Sequence, residues 1–443
     1  MNKKDKISVI TLGCSKNTVD SERLMNQIKV NNFDLINNPN DADTVIINTC
    51  GFIEAAREES INTILEAVNL KQQGKINKVI VAGCLSERYL SELQKEIPEV
   101  DAYFGTEKYE GILKELGGEL KYNLLGERFL TTPSHTAYLK ISEGCDHPCS
   151  FCAIPIMRGK HNSKPIEELV KEAEFLVKNN SKELILIAQD TTDYGIDIYG
   201  RRVLSDLLNE LSKIDGVEWI RLMYAYPSHF PDDVIETIAS NPKICKYIDI
   251  PLQHISDSVL KSMRRGVTAQ RTRELISKLR NRIPDITIRT TFIVGYPNET
   301  EKDFEELCSF VEETKFDRIG VFTFSVEENT SSYILGDPIA EETKLKRKET
   351  LMELQRGISY ENNKNLIGKK LKVLIESSEG EYYIGRSYRD APEVDGEILI
   401  PKNDLENLNS HLVEGNFFNV EITDYNDYDL YAKLVNEEIV ETR

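Results

Sequence analysis

The chain has 443 residues, 40% of them hydrophobic, and carries 55 Lys and Arg against 74 Asp and Glu, for a net charge of −19. This length predicts two to four domains with sizeable cores, and this charge excludes bare nucleic acid as an easy partner unless a local patch reverses the sign, whereas a basic protein fits readily. No stretch approaches the roughly 18 consecutive apolar residues of a membrane span, and the polar start Met1 to Lys6 runs directly into a strand, so neither a membrane anchor nor a signal peptide is expected. Eight cysteines in such a chain point to metal ligands in a reducing cytoplasm, not to a disulfide framework.

Residues 6–118 alternate strand and helix. Short β-branched runs at Ile7–Thr11, Thr44–Asn48 and Lys78–Ala82 read as buried parallel strands. A helical pattern from Ile53 to Leu70 places Ile61, Ile64, Leu65 and Val68 on one stripe. Together they predict an α/β layer. Residues 119–135 form a polar connector ending in Thr131-Thr132-Pro133-Ser134.

A second alternation runs from Thr136 to Asn365. Strands are expected at Ala137–Ile141, Leu184–Ala188, Trp219–Met223, Tyr247–Asp249, Ile286–Phe292 and Gly320–Phe324. Helices fit between them at Ile166–Lys178, Leu204–Lys213, Asp232–Ala239, Ala269–Arg282 and Glu301–Glu313, and a long charged helix from Glu341 to Asn362 closes the unit. Six β/α units predict a partial (β/α) barrel with its chemistry at the C-terminal strand ends. From Leu366 the pattern changes to short strands at Lys370–Ser377, Tyr382–Ser387, Glu397–Ile400, Phe418–Asp424 and Asp429–Val435, a small barrel of OB type spanning 366–443.

Two cysteine patterns carry the chemistry. The run Glu143-Gly144-Cys145-Asp146-His147-Pro148-Cys149-Ser150-Phe151-Cys152 offers three thiolates from one tight loop. Thiolates select iron–sulfur clusters or zinc. A closed zinc site takes four protein ligands, whereas three cysteines on a four-iron cluster leave one iron open for the amine and carboxylate of S-adenosylmethionine (SAM). The second pattern is dispersed: Cys14, Cys50 and Cys84 each stand just past a predicted strand end, with Gly13, Gly51 and Gly83 beside them. In a parallel sheet those ends share one edge, so the three converge, either as a second ligand triad or as small core residues. Cys245, Cys308, His147, His254 and Trp219 read as packing or hydrogen-bonding residues.

The cysteine spacing Cys145-x3-Cys149-x2-Cys152 is the signature of radical-SAM enzymes, and the whole chain resembles the methylthiotransferase family. A three-cysteine α/β domain (1–118), a linker (119–135), a radical-SAM barrel (136–365) and a TRAM barrel (366–443) follow that family's order. The resemblance implies two [4Fe-4S] clusters, one on Cys145, Cys149 and Cys152 that binds and cleaves SAM, and one on Cys14, Cys50 and Cys84 that carries the sulfur to be inserted. By the same analogy Gln189 and Arg289 hold SAM's polar groups, and a donor such as flavodoxin or ferredoxin supplies electrons.

Local choices separate two branches. Ser15-Lys16 after the first cysteine, Ile53 after the second and Met157 in Ile154-Pro155-Ile156-Met157-Arg158-Gly159 resemble the RimO branch, which modifies an aspartate of small-subunit ribosomal protein S-twelve. The other branch modifies a prenylated adenosine in transfer RNA. Residues 366–443 carry eight Lys and Arg against seventeen Asp and Glu, a net −9, so a TRAM barrel that grips RNA is not expected. Asp424, Asp427 and Asp429, interleaved with Tyr425, Tyr428 and Tyr431, are expected to bring a basic ribosomal protein or subunit over the barrel mouth. Methylthiolation of the ribosomal protein in the cytoplasm is thus the expectation, with transfer-RNA modification and a non-catalytic iron–sulfur scaffold as the rival readings.

Overall fold

The computed structural model describes residues 5–403 and 412–435. Parts of two expected units, residues 1–4 of the first domain and 404–411 and 436–443 of the last, lie outside the described residues.

The first unit is a five-stranded parallel sheet in which Lys6–Thr11, Thr44–Thr49 and Lys78–Gly83 form the centre, flanked by the two-residue strands Asp34–Leu35 and Ala102–Tyr103. The central strand Thr44–Thr49 is buried along its whole length, as a strand covered on both faces requires. One cover is the helix Ser15–Val30. It buries Lys16, Asn17, Asp20, Glu22, Arg23 and Gln27 as well as apolar residues, because its outer side meets the second unit instead of water.

That second unit is an open sheet of six parallel strands: Thr136–Lys140, Glu183–Ile187, Trp219–Leu222, Ile244–Asp249, Thr287–Val294 and Arg318–Thr323. They lie side by side in sequence order, so each β/α unit adds one strand to the curve. The helices are built to cover its outside. Ile166–Lys178 starts after Pro165, carries Glu167 and Glu168 in its first turn, and buries Leu169, Ala173 and Leu176. Glu301–Thr314 begins with a reciprocal Thr300–Asp303 capping box. Strand alternation sorts the two faces: Leu184 and Leu186 join the helix-side core, while Ile185 and Ile187 point inward.

The third unit is a closed five-stranded barrel of Lys370–Glu379, Tyr382–Ser387, Ile398–Pro401, Leu430–Leu434 and Phe417–Tyr425. It seats on the inner face of the open barrel, at the N-terminal ends of the strands. Glu183, first residue of its strand, accepts from Arg221 Nε (2.8 Å) and Arg386 Nη2 (2.6 Å). Arg318 pairs with Asp390 (2.8 Å), Tyr247 donates to Asp395 (2.7 Å), and Trp219 packs edge-on against Phe417.

This seating corrects one expectation. The terminal barrel lies at the end of the strands opposite the cysteines, and several of its acids are spent on internal contacts. Asp390 and Asp395 face the open barrel, and Asp429 accepts from the backbone N–H of Glu397 (3.0 Å), just ahead of the neighbouring strand of its own barrel. Asp424 is exposed, whereas Asp427 is half-buried. Those three aspartates therefore do not stand at the cysteine end of the open barrel.

Candidate active site

The first triad is assembled by strand ends and tight turns. Cys14 precedes the helix Ser15–Val30, Cys50 follows the strand Thr44–Thr49, and Cys84 opens the short helix Cys84–Arg88 directly after the strand Lys78–Gly83. Gly13 has φ +90°, and a Cβ there would stand 2.7 Å from Cys50 Cβ, so only glycine lets these two loops meet. Asn17 ties them further, donating to Leu12 O (2.7 Å) and Thr49 O (3.0 Å). Gly13 thus serves the close approach of the neighbouring loop.

The second triad sits on the loop after Ser142–Glu143, past the C-terminal end of the first barrel strand. Its surroundings are cationic and aromatic. Arg265 donates to Cys149 Sγ (3.3 Å) and to Pro251 O (2.6 Å), and its guanidinium lies over the Tyr226 ring. His147 stacks against the same Tyr226 ring, with centroids 3.6 Å apart, and bonds Asp190 (2.6 Å).

All six cysteines line one cavity of about 460 Å³. Three come from each pattern, and no other cysteine among the described residues joins them. Cys245 lies in the inner-face core, and Cys308 packs beside the helix-side core. Burial pushes the thiols of Cys84, Cys145 and Cys152 up to about 12, so each keeps its proton at neutral pH until a metal displaces it. Three soft donors with no fourth protein thiol fit a cluster with one open iron at each triad.

Arg158 joins the two halves. It sits on the helix Ile154–Arg158, just past the second triad, and donates to Cys84 Sγ of the first (3.2 Å). Its other donors reach Asp20 (2.6 Å), Glu143 (3.1 Å) and Asn17. Lys140, fully buried, bonds Asp20, Glu107 (2.8 Å) and Glu143 (2.5 Å). Nearby Arg23 and Arg128 both meet Glu172 across the same domain boundary.

Of the two residues expected to hold SAM, Gln189 lines the cavity, donates to Glu143 (2.5 Å), and leaves its own Oε1 buried without a partner. Arg289 does not line the cavity. It pairs with Asp249 (2.9 Å) and Asp395 (3.6 Å), because its position early in the strand Thr287–Val294 aims it toward the terminal barrel. Other residues also line the space: Lys16, whose ammonium lies over the Tyr224 ring, and Tyr224 and Gln253, both at positive φ (60° and 73°). Non-glycine residues held there at strand ends are a mark of functional sites. Gln253 Oε1 is likewise buried and unpartnered.

Comparison with known proteins agrees with this geometry. Residues 139–311 match the Radical SAM superfamily, residues 6–105 the uncharacterized protein family UPF0004, and residues 367–435 the TRAM domain. The fold is shared with the radical S-adenosylmethionine methyltransferase TsrM from Kitasatospora setae, at TM-score 0.55 and 13% identity over 74% of this chain and 77% of that one. The class is therefore a radical-SAM enzyme, which uses an iron–sulfur cluster and SAM. Two relatives define it further. The ribosomal protein uS12 methylthiotransferases RimO of Christiangramia forsetii (53% identical; 98% of this chain, 95% of that protein) and Cytophaga hutchinsonii (52%; 98% and 99%) align almost end to end. The chain belongs to the RimO family of radical-SAM methylthiotransferases. No helix among the described residues is long and apolar enough to cross a membrane.

Proposed function

We propose that this enzyme replaces a C–H bond with C–SCH₃ at the β-carbon of an aspartate in ribosomal protein uS12, in the cytoplasm, with two four-iron clusters. Cys145, Cys149 and Cys152 hold one, and Cys14, Cys50 and Cys84 the other. The domains are those read from the sequence: 1–118, a linker at 119–135, 136–365 and 366–443. The observation that carries the reading is that both triads line one cavity. A sulfur-bearing group on one wall and a radical source on the other can then reach a single substrate carbon.

When bound, the clusters and SAM would supply the radical, the sulfur and, from a second SAM, the methyl group, chemistry that an unactivated C–H bond needs because it has no acidic proton for a base to remove. The protein binds and orients. Arg265 and Arg158 place a guanidinium beside one thiol of each triad, which offsets the negative charge of ligating thiolates. The unpaired amide oxygens of Gln189 and Gln253 are acceptors for a ligand's ammonium or hydroxyl groups. Phe52, Ile53, Phe151 and Met157 give the cavity an apolar lining. Arg289 is withdrawn from the SAM contacts.

The net −9 of residues 366–443 argues against this barrel gripping transfer RNA. A donor such as flavodoxin or ferredoxin completes the reaction. Anaerobic turnover with purified uS12 and, in parallel, with transfer RNA tests the reading. A methylthio group on uS12 alone is expected. Modified transfer RNA with unmodified uS12 would overturn it.

A further inference from the structure

A groove of about 690 Å³ lies on the first domain beside the cysteine cavity. Its apolar floor includes Ile61, Leu65, Leu93, Ile97 and Val326. Its rim carries Glu54, Glu92, Glu96 and Glu328, all exposed. The single cation in its lining, Arg57, is held with Arg88 on the buried carboxylate of Glu327. Groove and cavity share a wall: Phe52, Ile53 and Ala56 line the cavity, while Glu54 and Arg57 line the groove.

One side of the groove is the segment after the last barrel strand. There the 3-10 turn Tyr333–Leu335 holds three large apolar side chains in water, with Tyr333 49% and Ile334 88% exposed. Phe52, Ile61, Leu65 and Leu90 are also exposed. Apolar surface gathered in this way and rimmed by charge marks a protein interaction site. The rim fixes the sign of the partner. Four carboxylates repel an acidic surface and attract Lys and Arg.

We propose that this groove docks a basic segment of the substrate protein and thereby sets its target residue at the cavity. The inference rests on the reading of the substrate as a ribosomal protein. A protein that lies on RNA carries the cations the rim calls for. It also answers what the fold leaves open, since no described residue of the terminal barrel lines the cavity. An acidic reductase or ferredoxin does not suit this rim.

The test uses the full chain and purified uS12 in a binding titration over a salt series, with turnover measured in parallel. Two variants are compared: the charge reversal Glu92→Lys, Glu96→Lys, Glu328→Lys, and the single change Ile334→Asp at a site too exposed to disturb folding. We expect each to weaken uS12 binding about tenfold, and the triple variant to flatten the salt dependence. KM for uS12 rises while kcat and substrate-free SAM cleavage stay as in the wild type. Unchanged uS12 binding in both variants overturns the proposal. So does a loss of turnover confined to assays with a protein reductant and absent with dithionite, which would assign the groove to the electron donor. Salt-sensitive binding through the groove without any modification of uS12 would leave the docking surface standing and sink the functional reading instead.

Discussion

Substitution of Glu183 by Gln tests how the terminal barrel is held. Glu183 is fully buried and joins Arg221 of the open barrel to Arg386 of the closed one. Burial alone would raise its pKa, but Arg386 and then Arg221 outweigh burial and lower it from 4.5 to about 2. That difference corresponds to about 3 kcal/mol of stability at pH 7. Breaking a buried ion pair by removing one partner gives a similar figure, about 3–5 kcal/mol. Because the folded pKa is depressed, the contribution is present above about 4.5 and is lost as pH falls toward about 2. The single tryptophan, Trp219, packs against Phe417 at this interface, so its fluorescence reports the seating directly. Denaturant titrations at pH 7 should show Glu183→Gln less stable by about 3 kcal/mol, with the gap to wild type closing as pH falls below 4.5. A difference under about 1 kcal/mol at pH 7, or a gap independent of pH, would refute the argument.

Other outcomes follow from the site. Anaerobic reconstitution of the wild type should give about eight irons per chain, and Cys14→Ala about four; four in the wild type with none lost in the variant would remove the second cluster. Cys149→Ala should abolish SAM cleavage, whereas Cys50→Ala should retain some cleavage without sulfur insertion; a Cys50 variant that makes product at the wild-type rate would end the division of roles. Arg158→Met should destabilise the apo chain by about 3 kcal/mol in denaturant titrations, since Asp20 and Glu143 keep Lys140 but lose a buried guanidinium. An unfolding midpoint unchanged from wild type would show that Arg158 does not join the domains.

Much of this architecture was legible in the sequence. Buried parallel strands are short β-branched runs, and every strand expected in the open barrel lies within a few residues of its place. The edge strands Asp34–Leu35 and Ala102–Tyr103 are two residues long and leave no periodic trace. The helix Ser15–Val30 was hidden for another reason: it buries charged residues against a second domain, so its faces do not separate into apolar and polar. That the six cysteines gather at one place was readable from their spacing and from the strand ends. Arg158 and Arg265 were not, since an arginine that donates to a thiol looks in sequence like any other. Arg289 misled because a strand position states which face a side chain takes but not which end of the barrel it serves.

The proposed reaction needs two cysteine triads facing one cavity to act together on one residue of uS12. The most direct test is tandem mass spectrometry of uS12 from cells with the gene, without it, and with Cys50→Ala in its place. A methylthio group on a single aspartate β-carbon is expected in the first sample, and unmodified uS12 in the other two. The same modification in the gene-deleted or Cys50→Ala cells would contradict the proposal.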